Sequence, residues 1–217
     1  MRGGISFIGH PYAKANHHYI SDKENELNRN DNHNDFIFFC DLNNQYGWAM
    51  SQYLPEKNFE WDNKFTKIKD MNVLTEKILD LNVESLKGYI FEVDLKYPDN
   101  LHNLHDELPL CPEQLMINDE WLSSDQLEMK KNLQLRGKSK KLCLTLFDKT
   151  KYVIHYRNLK FCLQQGLVLR KVHNVLKFDQ SPWLKPYIML NTQLRQSASS
   201  KFEENFAKLM NNSVYGK

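Results

Sequence analysis

The sequence predicts an α+β fold, with strands and helices mixed around one sheet and a helical hairpin after it. Three observations carry this expectation. Residues 89–95 (YIFEVDL) alternate apolar with acidic side chains, and 167–178 (LVLRKVHNVLKF) alternate apolar with basic ones after the first residues, the period-two pattern of half-buried strands. Residues 66–82 and 151–165 instead space apolar side chains by three and four, as a helix does. Beyond Pro182 and Pro186, a helical stretch from about residue 187 is broken at 197–200 by Ser-Ala-Ser-Ser. It resumes with Phe202, Phe206, Leu209, Met210 and Val214 on one helix.

The composition sets the outer bounds. The 217 residues are 41% apolar with a mean hydropathy of -0.64, and twelve Phe and ten Tyr supply a core. Twenty-nine basic against 27 acidic residues leave a formal charge of only +2, so any surface for a polyanion must be local. The four cysteines lie far apart with no C-x-x-C pair, which argues against a zinc site or a disulfide framework and fits a reducing compartment. No apolar run approaches the roughly 20 residues of a membrane span, and no signal-peptide core is present. The chain reads as a soluble intracellular protein.

Taken in order, the chain opens with Arg2-Gly3-Gly4, where paired glycines allow a sharp turn or a close approach to a ligand. Arg2 beside them can hold a phosphate, a plain turn being the simpler reading, and a start inside such a turn reads as a cut into a longer protein. Residues 21–35 are polar and Asn-rich, an exposed loop. Residues 36–40 (FIFFC) read as a fully buried strand that ends at Asp41, whose carboxylate would meet solvent or a metal at the rim of the core. A turn or two of helix over 48–53 stops at Leu54-Pro55, and 58–62 is a short strand. The helix at 66–82 carries Ile68, Met71, Leu74, Ile78 and Leu81, and Gly88 leads into the alternating strand. Its acids, Glu92 and Asp94, either share a metal with Asp41 or face solvent.

Residues 98–128, with Pro98, Pro109 and Pro112, form an irregular insertion with a short helix after Ser123. His102 and His105 have metal-like spacing without an acid or cysteine to complete a site. From 130 to 151 the balance turns basic: Lys130, Lys131, Arg136, Lys138, Lys140, Lys141, Lys149 and Lys151 face Asp148 alone, either a phosphate-contacting patch or a solvated face. Residues 142–147 are strand-like. The helix expected at 151–165 shows Tyr152, His155, Tyr156, Leu159 and Leu163 as its stripe and stops at Gly166. Lys201 and Lys208, seven apart, share a helix face, and Arg195 reaches the same space if the two helices fold back on each other.

Two short motifs give this order a meaning. Residues 208–216 spell K-x-x-x-N-S-x-Y-G, which resembles motif B of family B DNA polymerases. Residues 41–47, D-L-N-N-Q-Y-G, resemble their motif A, D-x-x-S-L-Y-P, and Arg2-Gly3-Gly4 is similar to the glycine pair before the polymerase domain of protein-primed members. YGWAMSQYLP, KYVIHYRNLK and SPWLKPYI are similar to polymerases of the Polinton/Maverick self-synthesising transposons, so that the resemblance spans essentially the whole chain. Asn44 stands for the family's Ser and Gly47 for its Pro. Gln45 replaces Leu and is expected to weaken packing behind the acid, and Met1 falls where a Tyr would stand.

The resemblance implies a linker over 1–35, a palm of antiparallel sheet and packed helices over 36–182 with an insertion near 95–145, and fingers helices over 183–217. It implies nucleotidyl transfer with two Mg²⁺ ions held by carboxylates. Asp41 would be a metal-holding catalytic acid, and the Leu42 carbonyl a second metal contact at the nucleotide site. Tyr46 would pack under the incoming sugar and exclude a 2′-hydroxyl. Lys208 would grip the triphosphate, with Arg195 and Lys201 as helpers, and Asn212 and Tyr215 would line the nascent base pair. Arg2, Gly3 and Gly4 would touch DNA. The implied partners are primer–template DNA, dNTPs and a terminal protein primer, with no membrane, in the nucleus for a transposon-encoded enzyme. The second catalytic acid belongs to a Y-x-D-T-D motif C that the 217 residues do not contain, so the chain is expected to be a fragment, inactive alone. Other expectations are a non-catalytic DNA-binding transposon relic and a small Mg-dependent nuclease using Asp41 with Glu92 or Asp94.

Overall fold

The computed structural model describes residues 12–15, 36–134 and 140–215. They divide into two compact units, one ending at Gln45 and the other beginning at Tyr46. In the first unit, residues 36–42 have no regular secondary structure, and Ile37, Phe38 and Phe39 are strongly exposed. This corrects the buried strand expected at 36–40. An apolar run says that side chains would gain from burial, but a buried strand also needs paired backbone and two covering layers. Asn44 (φ 56°) takes the left-handed conformation that Asn tolerates better than most residues, and the helix α1 (Gln45–Met50) starts immediately after. The helix thus begins before the expected 48–53. Gln45 itself is exposed, so its amide meets solvent and not a core.

The second unit is α+β. A four-stranded antiparallel sheet has the order β1 (Leu54–Trp61), β6 (Val168–Ser181), β2 (Lys87–Lys96), β5 (Lys149–His155). Fourteen-residue β6 is its spine: Leu169, Val172 and Val175 face the core at steps of three, because its pairing with β2 is irregular between Glu92 and Val93 and again between Asp94 and Leu95, while Phe178 is buried against Phe59 and His155. β2 presents Phe91, Val93 and Leu95 to the same side, in the period-two pattern read from the sequence. Two helices cover that side. In α2 (Met71–Leu79), Leu74 and Ile78 stand one turn apart and fully buried; in α4 (Tyr156–Gln164), Tyr156, Leu159 and Leu163 do the same.

Local chemistry sets the boundaries. α2 starts later than the expected 66 because Asp70 caps it, accepting from Asn72 N at 2.8 Å and Val73 N at 3.4 Å. β1 starts before the expected 58 and is an edge strand, where Pro55 leaves no sheet partner unbonded. Gly88 sits opposite Phe178 in the register, and a Cβ there would run into the Phe178 ring and the Gln180 amide. Only glycine fits.

The helix expected at 151–165 is corrected to strand β5 followed by α4. Tyr152 and Ile154 alternate inward against β2, and this β-branched, aromatic run satisfies a strand better than a helix. The apparent helical stripe arose because a period of two and one of 3.6 coincide over so few residues. His155 makes the switch: its Nδ1 accepts from Arg157 N at 3.4 Å as the N-cap of α4. That role requires a neutral ring, and burial, with Arg157 nearby, lowers the His155 pKa to about 4. The unfolded chain takes up a proton near pH 6.5 while the folded one resists. Stability is therefore expected to be complete above about pH 6.5 and to fall by about 3 kcal/mol as the pH drops towards 4. Denaturation midpoints of wild type and His155→Asn across pH 4–7 check this, the Asn variant keeping the cap and losing that slope.

Between β2 and β5 the chain makes a long excursion over 97–148. A two-stranded ribbon, β3 (Glu113–Met116) with β4 (Lys140–Cys143), carries the helix α3 (Ser124–Asn132) between its strands. Ser123 opens α3 with a reciprocal capping box to Gln126, as the expected helix after Ser123 requires. β4 ends at Cys143, short of the strand expected to reach 147. Finally, α5 (Lys185–Gln196) and α6 (Lys201–Tyr215) pair across the break at 197–200. No helix among the described residues is long and apolar enough to cross a membrane.

Candidate functional site

The helical pair is antiparallel, because successive partners run in opposite directions along it: Tyr187 OH donates to Met210 O at 3.1 Å, and Arg195 meets Glu204 at 3.3 Å. Between these contacts, buried Asn191 donates from Nδ2 to Asn211 Oδ1 at 3.0 Å. A buried amide pair tolerates little rotation of either helix, since an unpaired amide there is costly. Rotation of α6 is therefore set, with Ala207 and Asn211 inward. The adjoining row, Lys201, Lys208, Asn212 and Tyr215, falls at spacings of seven, four and three and is exposed throughout.

Tyr46, from α1, joins this row. Its ring stacks on that of Tyr215 with centroids 4.2 Å apart and planes 26° apart, both rings about half exposed. Tyr46 and Tyr215, at opposite ends of the second unit in sequence, are thus in contact. Gly47, next to Tyr46, is buried, and its carbonyl accepts from Ser51 Oγ at 2.8 Å, which pins the short helix that carries the ring.

Lys208 makes no hydrogen bond or ion pair among the described residues. Arg195 and Lys201 differ: both converge on Glu204, Arg195 at 3.3 Å and Lys201 Nζ at 2.6 Å. The Lys201 ammonium first, then the Arg195 guanidinium, holds the Glu204 carboxyl below its usual range. A ligand phosphate would compete with Glu204 for both cations, whereas Lys208 is uncommitted.

The sequence reading overlooked Glu204. It also overlooked the capping box that starts α6, in which Glu203 N donates to Ser200 Oγ at 3.2 Å and Ser199 and Ser200 N–H groups donate to Glu203. Ser200 and Glu203 spell S-x-x-E, a signal that was available. No sequence signal pairs Asn191 with Asn211.

Asp41 and Leu42 belong to the first unit and are exposed there. Arg2, Gly3 and Gly4 lie outside the described residues. Glu92 accepts from Asn174 at 2.5 Å, and Asp94 pairs with His173 at 2.8 Å and accepts from Lys151 N at 2.8 Å. His105 Nδ1 is hydrogen-bonded to the Tyr97 hydroxyl at 2.7 Å. Among the described residues no group of three or more His, Cys, Asp or Glu is placed to hold a metal ion. One exposed aspartate offers a single carboxylate arm, so the described residues do not by themselves fit a two-ion Mg²⁺ site.

The basic stretch is partly consumed by the fold. Lys149, expected on an exposed patch, is fully buried and salt-bridged to Glu113 at 2.9 Å, and Lys130 pairs with Asp119. Lys131, Lys140, Lys141 and Lys151 remain exposed, and Arg136 and Lys138 lie outside the described residues. Compared with protein-family models, curated proteins and solved structures, the chain matches none.

Proposed function

We propose that this chain is a palm-and-fingers segment of a template-directed DNA polymerase, of the protein-primed family B type that its motifs resemble. The observation that carries the reading is the stacking of Tyr46 on Tyr215, since the resemblance puts both motifs at one nucleotide pocket. The row on α6 supports it chemically. Lys208 supplies an uncommitted ammonium for a triphosphate, with Arg195 and Lys201 available once they leave Glu204. Asn212 and Tyr215 present an amide and an aromatic face to a base. Tyr46, backed by Tyr215, would serve as the floor under the incoming sugar. The partners are dNTPs, primer–template DNA and a terminal protein primer.

Equilibrium dialysis of a dNTP against the chain with primer–template tests this. Binding is expected, weakened about tenfold in Lys208→Ala, the loss of one charge-assisted contact of about 1.4 kcal/mol. DNA binding with no dNTP binding, or a Lys208→Ala variant that binds dNTP as wild type does, overturns the reading. The purified 217 residues are expected not to extend the primer, and extension abolished by Asp41→Ala would refute that expectation.

A further inference from the structure

Four cysteines spread along the sequence gave no expectation of a pair, yet two of them meet. Cys111, in the excursion just before β3, and Cys162, on α4, place their sulfur atoms 3.5 Å apart, both buried. Sequence separation is no guide here, because the excursion folds back onto the helix layer. Tyr97 anchors that return: its hydroxyl accepts from Leu110 N at 3.1 Å while bonding His105. Cys111 itself has φ 59°, a left-handed conformation that a side-chain-bearing residue adopts only when its surroundings hold it there. The other two cysteines are unlike these: Cys40 is exposed, and Cys143 is partly exposed on the ribbon.

We propose that Cys111 and Cys162 form a reversible, peroxide-driven disulfide that locks the 97–148 excursion onto α4. The sulfur atoms must close from contact to a bond of about 2.05 Å, within reach of thiol rotation and a small backbone shift. The hydrogen bond from Cys111 holds the Cys162 thiol below its ordinary pKa, which favours Cys162 as the attacking sulfur. The Cys162 thiolate attacks one oxygen of hydrogen peroxide, the O–O bond breaks, and hydroxide leaves and is protonated to water, so that Cys162 becomes a sulfenic acid. Cys111 sulfur then attacks Cys162 sulfur. The S–S bond forms, the S–O bond breaks, and the hydroxyl leaves as a second water with the Cys111 proton. Two thiols lose two electrons and one peroxide gains them. Peroxide is close to water in size, and so suits a buried pair better than a bulky disulfide oxidant. The proposal rests on this geometry alone and is independent of the polymerase reading.

The test uses the chain with Cys40→Ser and Cys143→Ser, two positions outside the core. It is treated with hydrogen peroxide, unfolded in an alkylating agent and digested without reductant. The expected product is a linked peptide joining residues 111 and 162, lighter by two hydrogens and cleaved by dithiothreitol. The oxidised protein should melt about 10 °C above the reduced one, because the link closes a loop of 51 residues in the unfolded chain. Recovery of both cysteines alkylated or over-oxidised with no linked peptide overturns the proposal, as does a linked form that melts at or below the reduced one.

Discussion

Lys149→Ala is expected to destabilise the second unit by about 3–5 kcal/mol, the cost of leaving one member of a buried ion pair without its partner. The Lys149 side chain is fully buried, and its Nζ donates to Glu113 at 2.9 Å, to Thr145 O at 3.1 Å and to Thr145 Oγ1 at 2.8 Å. All three ammonium hydrogens are used. Truncation leaves the Glu113 carboxylate, itself only 23% exposed, and the Thr145 carbonyl without their donor. A surface pair such as Lys57–Glu56, at 3.6 Å and largely solvated, would give about 0–1 kcal/mol. The double replacement Lys149→Met with Glu113→Leu removes both charges and is expected to return stability to near wild type. Urea denaturation midpoints of the three proteins decide it. A loss under about 1 kcal/mol in Lys149→Ala would mean that Glu113 is solvated well enough to stand alone. Because Glu113 begins β3, hydrogen exchange in the ribbon should accelerate first.

Tyr46→Val, in a complete polymerase bearing this segment, is expected to reduce discrimination against ribonucleotides by about 100-fold. A 2′-oxygen forced against a packed ring costs about 2–3 kcal/mol, and removing the ring removes that cost. The ring can act as a wall only if it cannot swing aside, and stacking on Tyr215 at 4.2 Å supplies the restraint. Tyr215→Ala should therefore relax discrimination too, by a smaller factor, although residue 215 need not touch the sugar. Single-nucleotide incorporation of dNTP against rNTP measures both. Unchanged discrimination in Tyr46→Val removes Tyr46 from this role, and the same effect in both variants would make Tyr215 the wall.

The second unit was legible wherever one period dominated. Residues 89–95 alternate and became β2, residues 167–178 fall within β6 although its core positions step by three across two irregularities, and the serine break at 197–200 separates α5 from α6. It was illegible where two periods overlap, as at 151–165, or where a single cap overrules a longer stripe, as Asp70 does for α2. The site followed the same division. Lys201, Lys208, Asn212 and Tyr215 share a helix face by spacing alone, whereas the convergence of Arg195 and Lys201 on Glu204 depends on how two helices cross.

By itself, then, the sequence determined the period-driven elements, the shared face of Lys201, Lys208, Asn212 and Tyr215 on α6 and the absence of a Y-x-D-T-D acid from these residues. Spacing along a strand or helix fixes direction because the backbone geometry is regular. The tertiary structure alone decided that FIFFC at 36–40 stays exposed, that Lys149 is buried with Glu113, that Tyr46 meets Tyr215 and that Cys111 meets Cys162. Each of these is a contact, or an exposure, set between residues far apart in the chain. Their energies depend on which surfaces exclude water together, and no local pattern encodes that.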